Sequence, residues 1–205
     1  MELCIRPGQP EELAALIELQ NLAIEALCCL DYNSKQIVAI VEEQVRARQA
    51  RDEHWFVAEV EGQMVGFSAI AKHQPEIGGV YVHPAWTRRG VGAQLIAALE
   101  QQAQTQHFGT LTVLSSLTAI AFYTKQGYRQ RHRSGFWTNQ HIWIPCVLLE
   151  KQLVPTTANP RSQAQGCFWW LLLLFGLGGL ALVHIHPSRS PAPPRPTSAM
   201  IDAGV

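Results

Sequence analysis

The residues best placed to do chemistry lie between positions 76 and 128. Thr87-Arg88-Arg89-Gly90-Val91-Gly92 joins an extended run, Glu76 to Val82, to a segment whose apolar residues Val91, Leu95, Ile96, Leu99 and Ala103 share one helical face. A strand, a glycine turn and a helix N-terminus together make an anion site, because unpaired backbone N–H groups converge there at the favourable end of the helix dipole. Glycine lets the backbone approach a phosphate closely. The turn lacks the Lys-Ser/Thr pair of a P-loop, and no third glycine or later acidic residue completes a dinucleotide fingerprint, so kinase and dehydrogenase chemistries are disfavoured. The five cysteines, at 4, 28, 29, 146 and 167, form no C-x-x-C and no zinc-like spacing. They read as free, mostly buried thiols in a reducing compartment, with no metal site expected. Cys4 and Cys146 have no paired base in the sequence, which disfavours an acyl-cysteine route. His73, His83 and His107 qualify as acid–base groups only through their titration range, and His83 before Pro84 reads as a turn residue.

These groups need a scaffold, and the composition bounds it. The chain has 205 residues, about one domain with some 50 residues left over. Sixteen basic against sixteen acidic side chains exclude both an electrostatic grip on nucleic acid and a polyacidic tail. Residues 1–153 interleave polar and apolar positions and hold thirteen bases and fifteen acids. Residues 154–166, with Pro155 and Pro160, read as a linker. Then Cys167 to Val183 runs 17 residues without a polar side chain. At 1.5 Å per residue that is about 26 Å, just enough for a hydrocarbon core of about 30 Å. Being apolar on all sides, residues 167–185 are expected to form a single transmembrane helix in a lipid bilayer, and 186–205 a disordered Pro/Ser-rich tail. The flanking bases are balanced and leave the orientation open.

Within residues 1–153 the periodicities predict, in order, a strand at Leu3 to Arg6 and a helix through Leu13, Leu16, Ile17 and Ile24. A second helix, capped near Asn33 and Ser34, runs to about Arg48. His54 to Val60 and Met64 to Ala71 form a hairpin across Glu61-Gly62. After the strand at Glu76 to Val82 and the glycine turn comes a helix ending near Gln106. Next are a parallel strand at Thr110 to Ser115 and a short helix at Thr118 to Lys125. Strands at Tyr128 to Arg133 and Ile142 to Leu149 close the sheet, with Pro145 implying a bulge or an edge. Arg129, Arg131 and Arg133 alternate and should share one face.

Four landmarks occur in order: Glu76-Ile-Gly-Gly-Val-Tyr-Val-His-Pro84, the Arg-Arg-Gly-Val-Gly turn, Ala121-Phe-Tyr-Thr-Lys-Gln-Gly-Tyr128, and Ile144-Pro-Cys-Val-Leu-Leu-Glu-Lys151. With them the chain resembles the GNAT superfamily of acetyl-CoA-dependent N-acetyltransferases over residues 2 to 153. The resemblance implies an α/β (α+β) domain: a mixed, mostly antiparallel sheet with two splayed parallel central strands, flanked by helices. It implies acetyl-CoA as co-substrate, with the pantetheine arm pairing with backbone groups of Val80, Tyr81 and Val82. The pyrophosphate would lie on the N–H groups of Thr87, Arg88, Arg89, Gly90, Val91, Gly92 and Ala93. Thr87 stands where the family usually has Gln or Arg, and Thr118 where it commonly has an Asn that contacts the pantetheine. Tyr123 matches the tyrosine that protonates the leaving thiolate. Glu76, fourteen residues before Gly90, matches the strand glutamate used as general base in protein-acetylating members.

The acceptor implied is a small-molecule or peptide amine. Its site would draw on Cys28 to Asn33 and Ser134 to His141, with Tyr32, Trp137 and Trp143 as possible aromatic walls. The rival reading is a non-catalytic acyl-CoA sensor at a membrane, motivated by Thr87, Thr118 and the general base. A third is an anion-binding domain for another phosphate ligand.

Overall fold

The computed structural model describes residues 2–153. The linker at 154–166, the span at 167–185 and the tail at 186–205 lie outside the described residues. Among the described residues no helix is long and apolar enough to cross a membrane.

Strand β1 (Leu3–Pro7) leads through a 3-10 turn at Pro10–Glu12 into α1 (Leu13–Leu27). Glu12 caps this entry by accepting from the Gln9 amide at 2.8 Å. Helix α1 buries Leu16, Leu19, Gln20, Ala23 and Ile24, a stripe at helical spacing. Helix α2 (Ser34–Ala50) starts at a reciprocal capping box: Asn33 Oδ1 accepts from Gln36 N at 3.0 Å and Gln36 Oε1 accepts from Asn33 N at 3.1 Å. Two orphan donors of the helix end are thereby satisfied, which fixes where the loop from α1 must stop.

Next come β2 (Glu53–Val60) and β3 (Gln63–Ala71), paired antiparallel across Glu61-Gly62, both of which have positive φ as a tight hairpin requires. Strand β4 (Ile77–Val82) completes an antiparallel sheet of order β1-β2-β3-β4. Its register slips because Ala69 faces Gly79 while Ile70 faces Ile77, leaving Gly78 as the extra residue of a bulge. Helix α3 (Val91–Thr105) then crosses over, burying the five apolar residues Val91, Leu95, Ile96, Leu99 and Ala103. Strand β5 (Thr110–Ser116) follows, then α4 (Ile120–Lys125), β6 (Arg129–Trp137) and β7 (Trp143–Gln152), in a second antiparallel sheet of order β5-β7-β6.

The two sheets meet where the chain runs parallel through a single bridge, Glu76 to Thr112. There Pro75 O accepts both Thr112 N (2.8 Å) and Thr112 Oγ1 (3.1 Å). Beyond that point β4 pairs only with β3 and β5 only with β7, so the two strands diverge. The expected splayed parallel pair is thus present.

Several expectations are corrected. Thr118, expected to open the short helix, belongs to a 3-10 turn (Leu117–Ala119) ahead of α4. The last two strands extend until only Thr138 to Ile142 remain between them, because Gly135 gives room to the Trp143 ring: a Cβ there would lie 2.5 Å from it. The arginines of β6 do not share a face. A bulge between Gln130 and His132 takes Arg131 out of register and reverses the alternation, so Arg129 and Arg133 point to opposite sides. Pro145 lies in β7, one residue past the last β5 pair at Cys146, where β7 has a strand neighbour on one side only.

Candidate active site

The divergence of β4 and β5 opens a cleft of about 180 Å³. Its walls are the backbone of β4 from Ile77 to Val82, β5 from Val113 to Ser116, and side chains of α1 and α2 that lean over the gap. Val80, Tyr81, Val82, Thr118 and Tyr123 all line it.

Tyr123 is 3% exposed and faces the cleft from α4. Phe122 and Tyr128 hold its ring edge-on, with centroids 5.1 and 5.5 Å away. Burial, and then the neighbouring Tyr81, raise its pKa well above the ordinary phenol value, so the hydroxyl keeps its proton through the neutral range. Tyr81 stacks on Phe67 at 5.1 Å and donates from its hydroxyl to Gln44 Oε1 at 2.9 Å.

At the C-terminal end of β4, the glycine turn presents the start of α3. Gly90 has φ +85 and Arg88 φ +59, a left-handed pair that turns the chain sharply into the helix. Among the described residues no side chain caps this helix end. Gly92 stands against the Phe122 ring, where a Cβ would lie at 3.0 Å, and beside Val82. This close packing brings the α3 N-terminus alongside the cleft and Tyr123. Thr87 donates from Oγ1 to Pro84 O at 3.0 Å, so its hydroxyl is held within its own turn. Arg88 and Arg89 are exposed, the latter with its guanidinium 4.8 Å from the Trp86 ring centre. His83 is part of the same turn, its Nδ1 accepting from Ala85 N at 3.2 Å.

Glu76 is not brought to the cleft. It sits where β4 and β5 are still joined, at the closed end of the cleft, and its Oε1 accepts from Arg51 Nη1 at 3.1 Å on the outer surface, near Asp52 and His73. The strand is still joined to Thr112 at that residue, so no gap exists for the carboxylate to enter. Thr118 lines the cleft, but its Oγ1 donates to Asp31 Oδ2 at 2.7 Å. Trp137 and Trp143 pack on each other at 5.3 Å on the exposed end of the β6–β7 hairpin, outside the cleft.

Tyr32, by contrast, is buried and lines the cleft. Its hydroxyl donates to Pro145 O (2.8 Å) and accepts from Leu117 N (2.9 Å), so the α1–α2 loop is tied to both β7 and the end of β5. Cys28 and Cys146 also face the cleft, and burial raises both thiol pKa values, that of Cys146 to about 11.

Beneath β4 lies a buried ionic group. Arg48 pairs with Glu53, donates to Gln20 Oε1 (3.2 Å) and to Gly78 O (3.3 Å), and lies over the rings of Phe67 and Tyr81. Glu53 packs so closely against the bulge that a Cβ on Gly78 would meet its Oε1 at 2.1 Å. One signal for this group was present in the sequence: Arg48 lies two helical turns after the buried Ile40, on the stripe of α2 that faces inward.

Comparison with known proteins agrees with this geometry. Residues 28–145, more than half of the chain, match the family model of the acetyltransferase (GNAT) domain. The chain is 30% identical over 147 residues to the uncharacterised N-acetyltransferase YafP of Escherichia coli K12, an alignment covering 67% of this chain and 93% of that protein. It is similar in structure to a GCN5-related N-acetyltransferase of Rhodopseudomonas palustris: TM-score 0.67, 31% identity, 75% of this chain and 97% of that one. The PaiA N-acetyltransferase of Thermoplasma acidophilum, solved with coenzyme A, shares the fold at TM-score 0.57 and 18% identity, over 74% of this chain and 99% of that one. The chain therefore belongs to the GNAT family and is an acetyltransferase.

Proposed function

We propose that the protein transfers the acetyl group of acetyl-CoA to a primary amine by direct attack within a ternary complex. The observation that carries this reading is the cleft itself: β4 and β5 leave facing edges without a strand partner, and Tyr123 stands at the gap. Coenzyme A in the PaiA N-acetyltransferase of the same fold supports the choice of co-substrate.

In this reading the pantetheine arm lies against β4 at Val80, Tyr81 and Val82, and the pyrophosphate meets the uncapped N–H groups of Val91, Gly92 and Ala93. The Thr87 hydroxyl, held by Pro84 O, takes no part, and Arg88 and Arg89 add positive charge at the surface. The amine nitrogen attacks the thioester carbonyl carbon, and a strand N–H near Val82 stabilises the oxyanion. As the C–S bond breaks, the Tyr123 hydroxyl gives its proton to the sulfur. The phenolate then recovers a proton from the ammonium formed in the attack. The Tyr123 hydroxyl is protonated when the thiolate leaves, as a donor must be; its raised pKa makes it a weaker acid, so the transfer to sulfur is driven by return of the ammonium proton to the phenolate.

Release of coenzyme thiol in the presence of an amine tests the reading. Tyr123→Phe should lower kcat by about 10²-fold, the lower end of the range for a positioned acid, while coenzyme affinity by calorimetry stays within about twofold. Absence of coenzyme binding would refute it. The apolar run at 167–185 makes a bilayer the proposed place of work; retention of the full chain in carbonate-washed membranes tests that, and its recovery in the supernatant would overturn it.

A further inference from the structure

On the reading above, we propose that the acceptor is a small amine with one nitrogen and an aryl or branched-alkyl body, and that it enters the cleft already as the free base. The acceptor side of the cleft, away from β4, is walled by Ala23, Leu27, Tyr32, Ile40, Phe136 and Ile144. Among the described residues, none that lines the cleft carries a formal charge at neutral pH. The titratable groups facing it are Cys28 from α1, Tyr32 from the following loop, Tyr81 from β4, Tyr123 from α4 and Cys146 from β7. Burial raises the pKa of each, so all five stay neutral.

Of the ionised groups around the cleft, Glu53 pairs with Arg48 beneath Gly78 and Glu76 is bound by Arg51 outside it. Asp31, which accepts from the Thr118 hydroxyl, is exposed to water at the rim and is not part of the lining. An ammonium entering past the rim would give up its hydration and meet no counter-ion on the cleft wall, and burial of this kind lowers an amine pKa. The proton is therefore lost to bulk water before binding, with no carboxylate of the protein needed to take it. A polyamine or an aminoglycoside would bring further positive charges with no carboxylate to meet them. An amino acid would bring a carboxylate with no Arg or Lys. An apolar body, in contrast, covers Leu27, Ile40 and Phe136 and releases their water.

The test uses the full chain, acetyl-CoA and coenzyme thiol release, with 2-phenylethylamine and isoamylamine against spermidine, kanamycin and glycine. The apolar amines should exceed the charged ones at least tenfold in kcat/KM. Replacing 2-phenylethylamine by the less basic benzylamine should move the rising limb of kcat/KM to lower pH by the difference between the two amines' own pKa values. A limb at a fixed pH, independent of the amine, would instead reveal a base on the protein and overturn the inference. Leu27→Glu, with coenzyme affinity checked by calorimetry, should shift the spermidine to phenylethylamine ratio at least tenfold towards spermidine; an unmoved ratio would mean this wall does not touch the acceptor. Turnover of spermidine or kanamycin with none of the apolar amines sinks this inference alone, whereas bound coenzyme with no turnover of any amine sinks the transfer reading beneath it.

Discussion

Replacing Arg48 by methionine separates the two tasks of the buried ionic group beneath the cleft. In the folded protein the side chains of Arg48 and Glu53 are 1% and 0% exposed, so removing the guanidinium leaves a carboxylate with no access to water, held by Trp55 Nε1 at 3.3 Å and by Arg51 at 3.9 Å in place of its main partner. Breaking such a pair from one side costs about 3–5 kcal/mol, whereas replacing both partners by apolar groups is often neutral or stabilising. Against a total stability of about 5–15 kcal/mol the single change is severe. At about 2–4 °C per kcal/mol for a chain of this size, the melting temperature should fall by roughly 6–20 °C. Arg48→Met/Glu53→Leu should recover most of that loss. Urea unfolding of the full chain, followed by circular dichroism, measures both. The double variant should nevertheless bind coenzyme more weakly than the native chain, because the 3.3 Å hydrogen bond from Arg48 to Gly78 O at the β4 bulge is gone in either case. A loss below about 1 kcal/mol in Arg48→Met, or a double variant less stable than the single one, would refute the assignment of a buried, mutually dependent pair.

Gly90→Ala should cost about 1–2 kcal/mol, because φ +85 is disfavoured for any residue with a Cβ, and it should weaken coenzyme binding through the displaced start of α3; calorimetry and melting measure the two effects. Stability should be level through neutral pH and fall as pH rises from about 8.5, the unfolded thiol value, through about 11 at Cys146, with the buried phenols of Tyr32 and Tyr123 continuing the loss. The sign follows from folded pKa values raised above unfolded ones: the folded state holds its protons more tightly, and stability is lost as they leave. In the same samples at pH 8 the exposed Cys4 and Cys29 should react with a disulfide reagent well before the buried Cys28 and Cys146.

Much of the scaffold was legible because its signals are local. The capping box at Asn33, the Glu61-Gly62 hairpin and the apolar face of α3 each depend on residues within a few positions of one another. The glycine turn and Tyr123 were legible for the same reason, as short motifs in a fixed order. What the sequence did not reveal depends on register and on contacts between distant segments. The bulge at Arg131 inserts one residue into β6 and reverses every side chain beyond it, which no alternating pattern discloses in advance, whereas the bulge in β4 is one that the family resemblance implies. Glu76 has the right distance along the chain from Gly90, but it falls where β4 and β5 are still joined, and Arg51 draws it outward. Thr118 carries a free donor on paper, and Asp31, 87 residues away, accepts from it.

Among the described residues the Glu76–Thr112 bridge is the one parallel link between the two sheets, and beyond it two backbone edges face each other across the gap with no strand between them. A ligand lying there as an extra strand closes a seam that backbone pairing leaves open, above a core that already joins both sheets. Binding energy would then add to the stability of the whole domain, about 2.7 kcal/mol at a hundred times the dissociation constant. The amide hydrogens of Val80, Val82, Leu114 and Ser116, which alternate with those bonded inside their own sheets, should exchange quickly in the empty protein and slow together when the seam is filled. The lifetime of the folded enzyme against proteolysis would therefore follow the supply of its own substrate.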